Sequence, residues 1–283
     1  MAMMAQSKWI EDAWLDRAER TWFLAELLWP EDCFAPGVTV RTAGRLMEGR
    51  SGSGDGSRVR RAPPLRRCDV EIRDVPALPA LSAGTHAQLE QVARIRKLPH
   101  CDGPALAAHH GTLRFCTAYD EPAWAVLDVE NACNVQLRKM DGTLWFGKTK
   151  VMGITGNWAA WPVGLSVALK MPGCEIWLVE GSGDFIAAWH CVAEGWGNFV
   201  PVAMFGASQA IHAGALPLFA GRCVTIIQQH DERGAEAAAR WERQLSETGA
   251  CVRVCVVPGD GNDLNDWVSA GGGGGWVNEE NRK

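Results

Sequence analysis

Four short apolar runs in the second half of the chain constrain its fold more than any other feature. They read "CEIWLVE" (174–180), "FVPVAMF" (199–205), "RCVTIIQQ" (222–229) and "CVRVCVVP" (251–258). Each has the length of a strand, and each gives way to a stretch of different pattern: "DFIAAWHCVAEG", "SQAIHAGALPLFA", "RGAEAAARWERQLSETG" and "DGNDLNDWVSA". Apolar strands alternating with helices imply a parallel sheet whose faces the helices cover. Right-handed crossovers then bring the carboxyl ends of the strands to one edge. That edge receives Glu180, residues 229–231 and residues 260–266.

Upstream the pattern differs. Residues 7–29 carry Trp9, Ile10, Ala13, Trp14, Ala18, Trp22, Phe23, Leu27 and Leu28 at helical spacing, so residues 1–47 read as a Trp-rich helical region. Residues 48–80 form a basic linker, rich in Gly and Ser first and then carrying five arginines between Arg58 and Arg67. Residues 81–172 open on helical stretches, "THAQLEQVARIRKL" and "GPALAAHHG", and continue with two or three antiparallel strands, "TLRFCTAY", "PAWAVLDVE" and "CNVQLRKMDG". The parallel-sheet domain occupies residues 173–270, and the Gly-rich tail 271–283 is expected to be disordered.

Composition narrows the function classes. A chain of 283 residues with 47% hydrophobic residues and a net charge of −5 is an ordinary globular protein, and any nucleic-acid contact must use local patches. No apolar run reaches the ~18–20 residues that span a bilayer, and no signal-peptide core is visible, so a cytoplasmic protein without a membrane partner is expected. None of the ten cysteines forms a CxxC pair, and most, such as Cys223 in "GRCVTII", sit in apolar runs. Buried free thiols in a reducing compartment follow.

Two stretches compete as the functional site. The first is acidic. Glu180 closes the first strand, Asp184 opens the helix after it, Asp231 and Glu232 follow the third strand, and Asp263 and Asp266 follow the fourth. Carboxylates from segments distant in sequence meet on one edge, where they repel unless a cation lies between them. Oxygen-only donors suit a hard divalent ion such as Mg²⁺. The second is "GTLWFGKT" (142–149), which matches the G-x-x-x-x-G-K-[ST] phosphate-loop pattern. Its inner residues are bulky, no helix pattern follows, and "MDGT" reads as a hairpin turn, so a phosphate loop is not expected. Arg138, Lys139, Lys148 and Lys150 are expected to give this hairpin a basic, nucleic-acid-binding surface.

"LVEGSGDFIAA" resembles the EGxxD segment that opens the Toprim domain of bacterial-type primases, topoisomerases and related nucleases. "IIQQHDERG" is similar to the segment in which that domain's third strand ends in DxDxxG, and "GNDLNDW" to the KDxND segment that closes the primase version. "VQLRKMDGTLWFGK" and "ITGNWAAWPVG" resemble the segment before Toprim in phage and plasmid primases. The resemblance covers roughly residues 84–270. It implies catalytic roles for Glu180 and Asp231, and Mg²⁺ or Mn²⁺ held by Glu180, Asp184, Asp231, Asp263 and Asp266. The implied activity is metal-assisted nucleotidyl transfer, RNA primer synthesis on single-stranded DNA, in replication of DNA or a mobile element. The implied partners are single-stranded DNA, nucleotides and a helicase or other replication protein. The chain departs from the family in two places. Gln229 stands at the first aspartate of DxD, and the first 80 residues, with only Cys33 and Cys68 and no histidine, lack the ligands of a primase zinc module. A catalytically weakened nucleic-acid-binding accessory module, or a Toprim nuclease, is the competing expectation. A topoisomerase is not expected, since the single tyrosine, Tyr119, lies outside the parallel-sheet region.

Overall fold

The computed structural model describes residues 79–128, 132–154, 159–259, 263–273 and 276–279. The expected Trp-rich region 1–47 and all of the linker but residues 79 and 80 lie outside the described residues.

The described chain opens with helix α1 (His86–Ile95), started by a reciprocal capping box in which Gln88 N donates to Thr85 Oγ1 and Thr85 N donates to Gln88 Oε1. It buries Leu89, Val92 and Ala93. Helix α2 (Asp102–His109) follows. Strands β1 (Leu113–Ala118), β2 (Glu121–Leu127), β3 (Val135–Lys139) and the short β4 (Met152–Gly153) form an antiparallel meander in chain order. Ala123, Ala125, Leu127, Val135 and Leu137 bury one face under Trp145. Trp124 fills the other face, with no exposure, and the Arg138 guanidinium lies 5.7 Å from its ring centroid.

The second sheet is the expected parallel one. Strands β5 (Glu175–Glu180), β6 (Phe199–Met204), β7 (Cys223–Gln228) and β8 (Cys251–Val256) lie in the order β6-β5-β7-β8, all parallel. The central β5 is apolar throughout Ile176–Trp177–Leu178–Val179, because both of its faces are covered. Helices α4 (Gly181–Ala193), α5 (Glu232–Ser246) and α6 (Leu264–Ser269) follow β5, β7 and β8. A short helix α3 (Leu165–Lys170) leads into the sheet, and Arg222 ties its end down by donating to the carbonyls of Ala168, Met171 and Cys174 at 2.9–3.0 Å.

Three expectations need correction. The stretch after β6 is not a helix of usual length but a loop with one 3₁₀ turn (Leu216–Phe219), where Pro217 withholds a backbone donor. The tail carries a one-turn helix α7 (Trp276–Glu279) in which Val277 is buried, so that part is ordered by apolar burial. Cys223 is exposed at the start of β7, as is Cys251 opposite it on the edge strand β8. All eight described cysteines are free thiols.

The two regions meet where α2 crosses α4. A Cβ added at Gly103 would lie 2.5 Å from the backbone N and Cα of His190, so the helices touch through backbone at this point. No rotamer change relieves such a clash. Gly103→Ala is therefore expected to destabilise the protein by about 1–3 kcal/mol, outweighing the ~0.5–1 kcal/mol that alanine gains over glycine in a helix. Urea midpoints of the two proteins check this.

Candidate functional site

The carboxyl edge of the parallel sheet collects the acids. Glu180 ends β5 and occupies the N-cap of α4, and Gly181 makes the turn with φ of 80°, which glycine adopts without a Cβ penalty. Asp231 caps α5, its Oδ1 accepting from Gly234 N at 2.6 Å. A Cβ on Gly234 would sit 2.8 Å from the Gln229 carbonyl oxygen, which explains the glycine of "HDERG". Asp263 caps α6 with Oδ1 accepting from Asp266 N at 2.7 Å, and Asp266 is exposed in that helix's first turn.

Asp184 stands apart from the others. It is only 2% exposed, in the first turn of α4. Gln229 Nε2 donates to its Oδ2 at 3.0 Å and Asn265 N to its Oδ1 at 3.2 Å. Burial first, then the Asp263 charge, raise its pKa from 3.8 to about 8, against the hydrogen bonds from Gln229 and Asn265 and the charge of Arg96. Burial also raises Asp263 most, with the Asp266 N–H and Arg96 opposing and the Asp266 charge adding. Glu180 is raised by burial, opposed by the Ala207 backbone N–H and reinforced by Asp231 and Asp263. The acids thus sense one another electrostatically, as a shared site requires.

Two guanidinium groups reach this edge from the upstream region. Arg96, the C-cap of α1, donates from Nε to Asn265 Oδ1 at 3.0 Å. Its head crosses Gly183, where a Cβ would lie 2.2 Å from one of its terminal nitrogens. Arg138 on β3 donates from Nε to Ser182 Oγ at 2.7 Å. Burial and the Arg96 charge lower its pKa to about 10, while Asp184 and Asp263 pull it up. Sequence reading missed Arg96, Ser182 and Asn265, because no local motif marks "ARIRKL" as part of a site whose bonded partner lies 169 residues further on.

The expected basic surface on the hairpin is divided. Arg138 turns into the carboxylate edge, and Lys139 pairs with Glu121 at 3.1 Å and Asp141 at 3.6 Å. Lys148 and Lys150 remain exposed, beside Phe146 (65% exposed) and Tyr119 (60% exposed). The expected Asp-Gly hairpin turn at "MDGT" is not formed: β3 pairs with β4 across a longer connection, residues 140–151, within which 145–149 make a tight turn. Trp145 N donates to Thr149 O at 2.7 Å, and Phe146 and Gly147 both have positive φ. The next element is β4, not a helix. His230 is exposed beside Gln229.

Glu180, Asp231, Asp263 and Asp266 offer oxygen donors of the type a hard divalent cation takes, but no three of them bring donor atoms within 4.8 Å of one another. Asp231 and Asp263 each commit Oδ1 to a helix cap, which fixes the carboxylate plane and leaves Oδ2 outside the cap. Asp184 is buried and accepts a hydrogen bond at each oxygen.

Residues 177–268 match the Toprim-like family model. No curated protein matches the chain. Among solved structures, the chain is similar to the DnaG catalytic core, with 19% identity over 68% of this chain and 71% of that one and a TM-score of 0.47. It is similar to a DNA primase domain from Pseudomonas aeruginosa, with 21% identity over 70% and 62% of the two chains and a TM-score of 0.43. A third is the RNA polymerase domain of Mycobacterium tuberculosis primase DnaG, with 15% identity over 56% and 55% and a TM-score of 0.39.

The raised Asp184 pKa makes stability depend on pH. Between its ordinary 3.8 and about 8 the folded state holds a proton that the unfolded chain releases. The unfolded state then binds fewer protons, so stability falls as pH rises through this window. Denaturant midpoints in chelator-containing buffer should fall from pH 5 to pH 8.5, and Asp184→Asn should flatten the slope.

Proposed function

We propose that this chain, whose residues 177–268 form a Toprim-like domain, carries out Mg²⁺- or Mn²⁺-dependent nucleotidyl transfer on single-stranded DNA, as a primase does. The observation that carries this reading is that Asp231 and Asp263 act electrostatically on Glu180 past the carboxyl ends of three parallel strands, with Arg96 and Arg138 close enough to act on Asp184 and Asp263. When bound there, a divalent ion supplies charge stabilisation for the reacting phosphate oxygens. The chain's own residues do the rest. Glu180, with its proton affinity raised by burial, is placed to exchange a proton with the attacking hydroxyl. Asp231 and Asp263, clamped by their own helix N-termini, hold their oxygens in fixed directions. Arg96 and Arg138 present positive charge where a triphosphate gathers negative charge. The proposed setting is cytoplasmic replication of DNA or of a mobile element, alongside a helicase or other replication protein.

Exposed Lys148 and Lys150, interleaved with Phe146 and Tyr119, suit the backbone and bases of a single strand. The double variant Lys148→Ala/Lys150→Ala is expected to weaken single-strand binding. Two lost phosphate contacts should also reduce the slope of log affinity against log salt by about 1.4, read by fluorescence anisotropy at several salt concentrations.

The test of the reaction is a metal-dependent assay with labelled nucleotides and single-stranded DNA, scored for synthesis, cleavage and binding together. Primer-length products are expected, lowered by at least about 100-fold in Glu180→Gln. Fragments shorter than the template would point to a nuclease instead. A second reading is favoured by one contact. Gln229, at the position where the family motif has an acid, gives its amide to Asp184 and brings no charge to the edge. On that reading the chain is a weakened accessory module that binds DNA with little turnover. Activity that appears only in Gln229→Asp supports it, and strong wild-type synthesis excludes it.

A further inference from the structure

At the far end of α4 from the carboxylate edge, two histidines and a glutamate converge. His190 and Glu194 are four residues apart and so share one face of the helix. His100 comes from the loop before α2. The backbone contact of Gly103 with His190 carries that loop onto the same face. The His100 and His190 rings lie with centroids 4.6 Å apart, and His100 Nε2 is 2.7 Å from Glu194 Oε1. One donor atom from each of the three residues lies within 4.8 Å of the other two.

His190 is 3% exposed, and its Nδ1 is buried with no hydrogen-bond partner among the described residues. An orphaned buried polar group costs roughly 1–3 kcal/mol, so a ligand that satisfies it has something to gain. Behind His100, the Asp102 carboxylate stands 3.4 Å from Nδ1 without forming a hydrogen bond. A carboxylate on the outer nitrogen of an imidazole is the usual device for setting the tautomer of a metal-binding histidine.

We propose that His100, His190 and Glu194 bind one Zn²⁺ ion, with Asp102 orienting His100, and that the ion fastens the upstream helices to the Toprim-like domain. Two imidazole nitrogens and one carboxylate oxygen form a donor set that Zn²⁺ takes readily and Mg²⁺ does not. A fourth position is left for water. The ion takes the place of the hydrogen-bonding proton between His100 Nε2 and Glu194 Oε1, and His100 then carries its proton on Nδ1, facing Asp102. The site is separate from the carboxylate edge. Along α4, Glu180 and Glu194 are about 21 Å apart at 1.5 Å per residue.

The test uses the full chain, stripped with chelator and titrated with Zn²⁺ in excess Mg²⁺, with uptake followed by calorimetry and native mass spectrometry. Exposed Cys223 and Cys251 are replaced by Ser throughout, since they face each other across β7 and β8 and could bind zinc themselves. One Zn²⁺ per chain is expected, with a raised thermal midpoint. Glu194→Gln and His100→Asn should each lower affinity by more than the ~10–100-fold that loss of an outer partner costs, and Asp102→Asn should fall within that range. Co²⁺ in place of zinc should give visible d–d bands without the near-ultraviolet charge-transfer band of a thiolate ligand. The Glu194 side chain is 42% exposed, so Glu194→Gln keeps the fold and decides the matter even if His100→Asn does not fold. Absence of stoichiometric uptake, uptake unchanged in Glu194→Gln, or a thiolate-dominated Co²⁺ spectrum would overturn the proposal.

Discussion

Asp184 brings a carboxyl group into a place that water barely reaches, and the surrounding groups are arranged in answer to it. An isolated ionised carboxylate in such surroundings is too costly to keep, so the group must be paired, hydrogen-bonded or protonated. Here all three responses contribute. Gln229 and the Asn265 backbone donate to its two oxygens, Arg96 and Arg138 stand near, and its proton affinity rises into the neutral range. The half-buried Glu180 and Asp263 feel the same edge and shift in the same direction. The acids at this edge thus repel one another, and the charges of Arg96 and Arg138 moderate that repulsion.

Gln229 acquires a meaning from this arrangement that its sequence position alone does not convey. An aspartate there would add a further acid beside Asp184 and Asp263. The neutral amide instead bonds to Asp184 and lowers the repulsion.

The parallel sheet was legible because strands covered on both faces leave continuous apolar runs, and because Gly181 marks a positive-φ turn and Gly234 a close approach to the Gln229 carbonyl. The acids at strand ends were legible for the same reason, since topology alone sends them to one edge. The partners that neutralise them were not. Arg96 and Arg138 become neighbours of Asp184 only through tertiary packing that brings the upstream region, with α2 on α4, against α4 and α6, and no periodicity records that. The burial of Asp184 was equally hidden, because an acid in the first turn of a helix is ordinarily a solvated one. The exposure of Cys223 has a similar cause. A strand's first residue can emerge from the sheet even when the run it begins is apolar. Asp141 does make a local turn by accepting from Thr143 N, but β3 finds its partner only at β4, so the strand pairing around that turn was not legible.

Arg96 lies across Gly183, and Arg138 bonds to Ser182, so the first turn of α4 is held by side chains that belong to the other half of the molecule. The stretch that carries the family pattern is consequently not self-sufficient. Separated from the residues before it, its edge would keep the mutually repelling acids and lose both counter-charges. Any module set in place of the upstream half would have to deliver two guanidiniums to the same two places, one from the end of a helix and one from a strand.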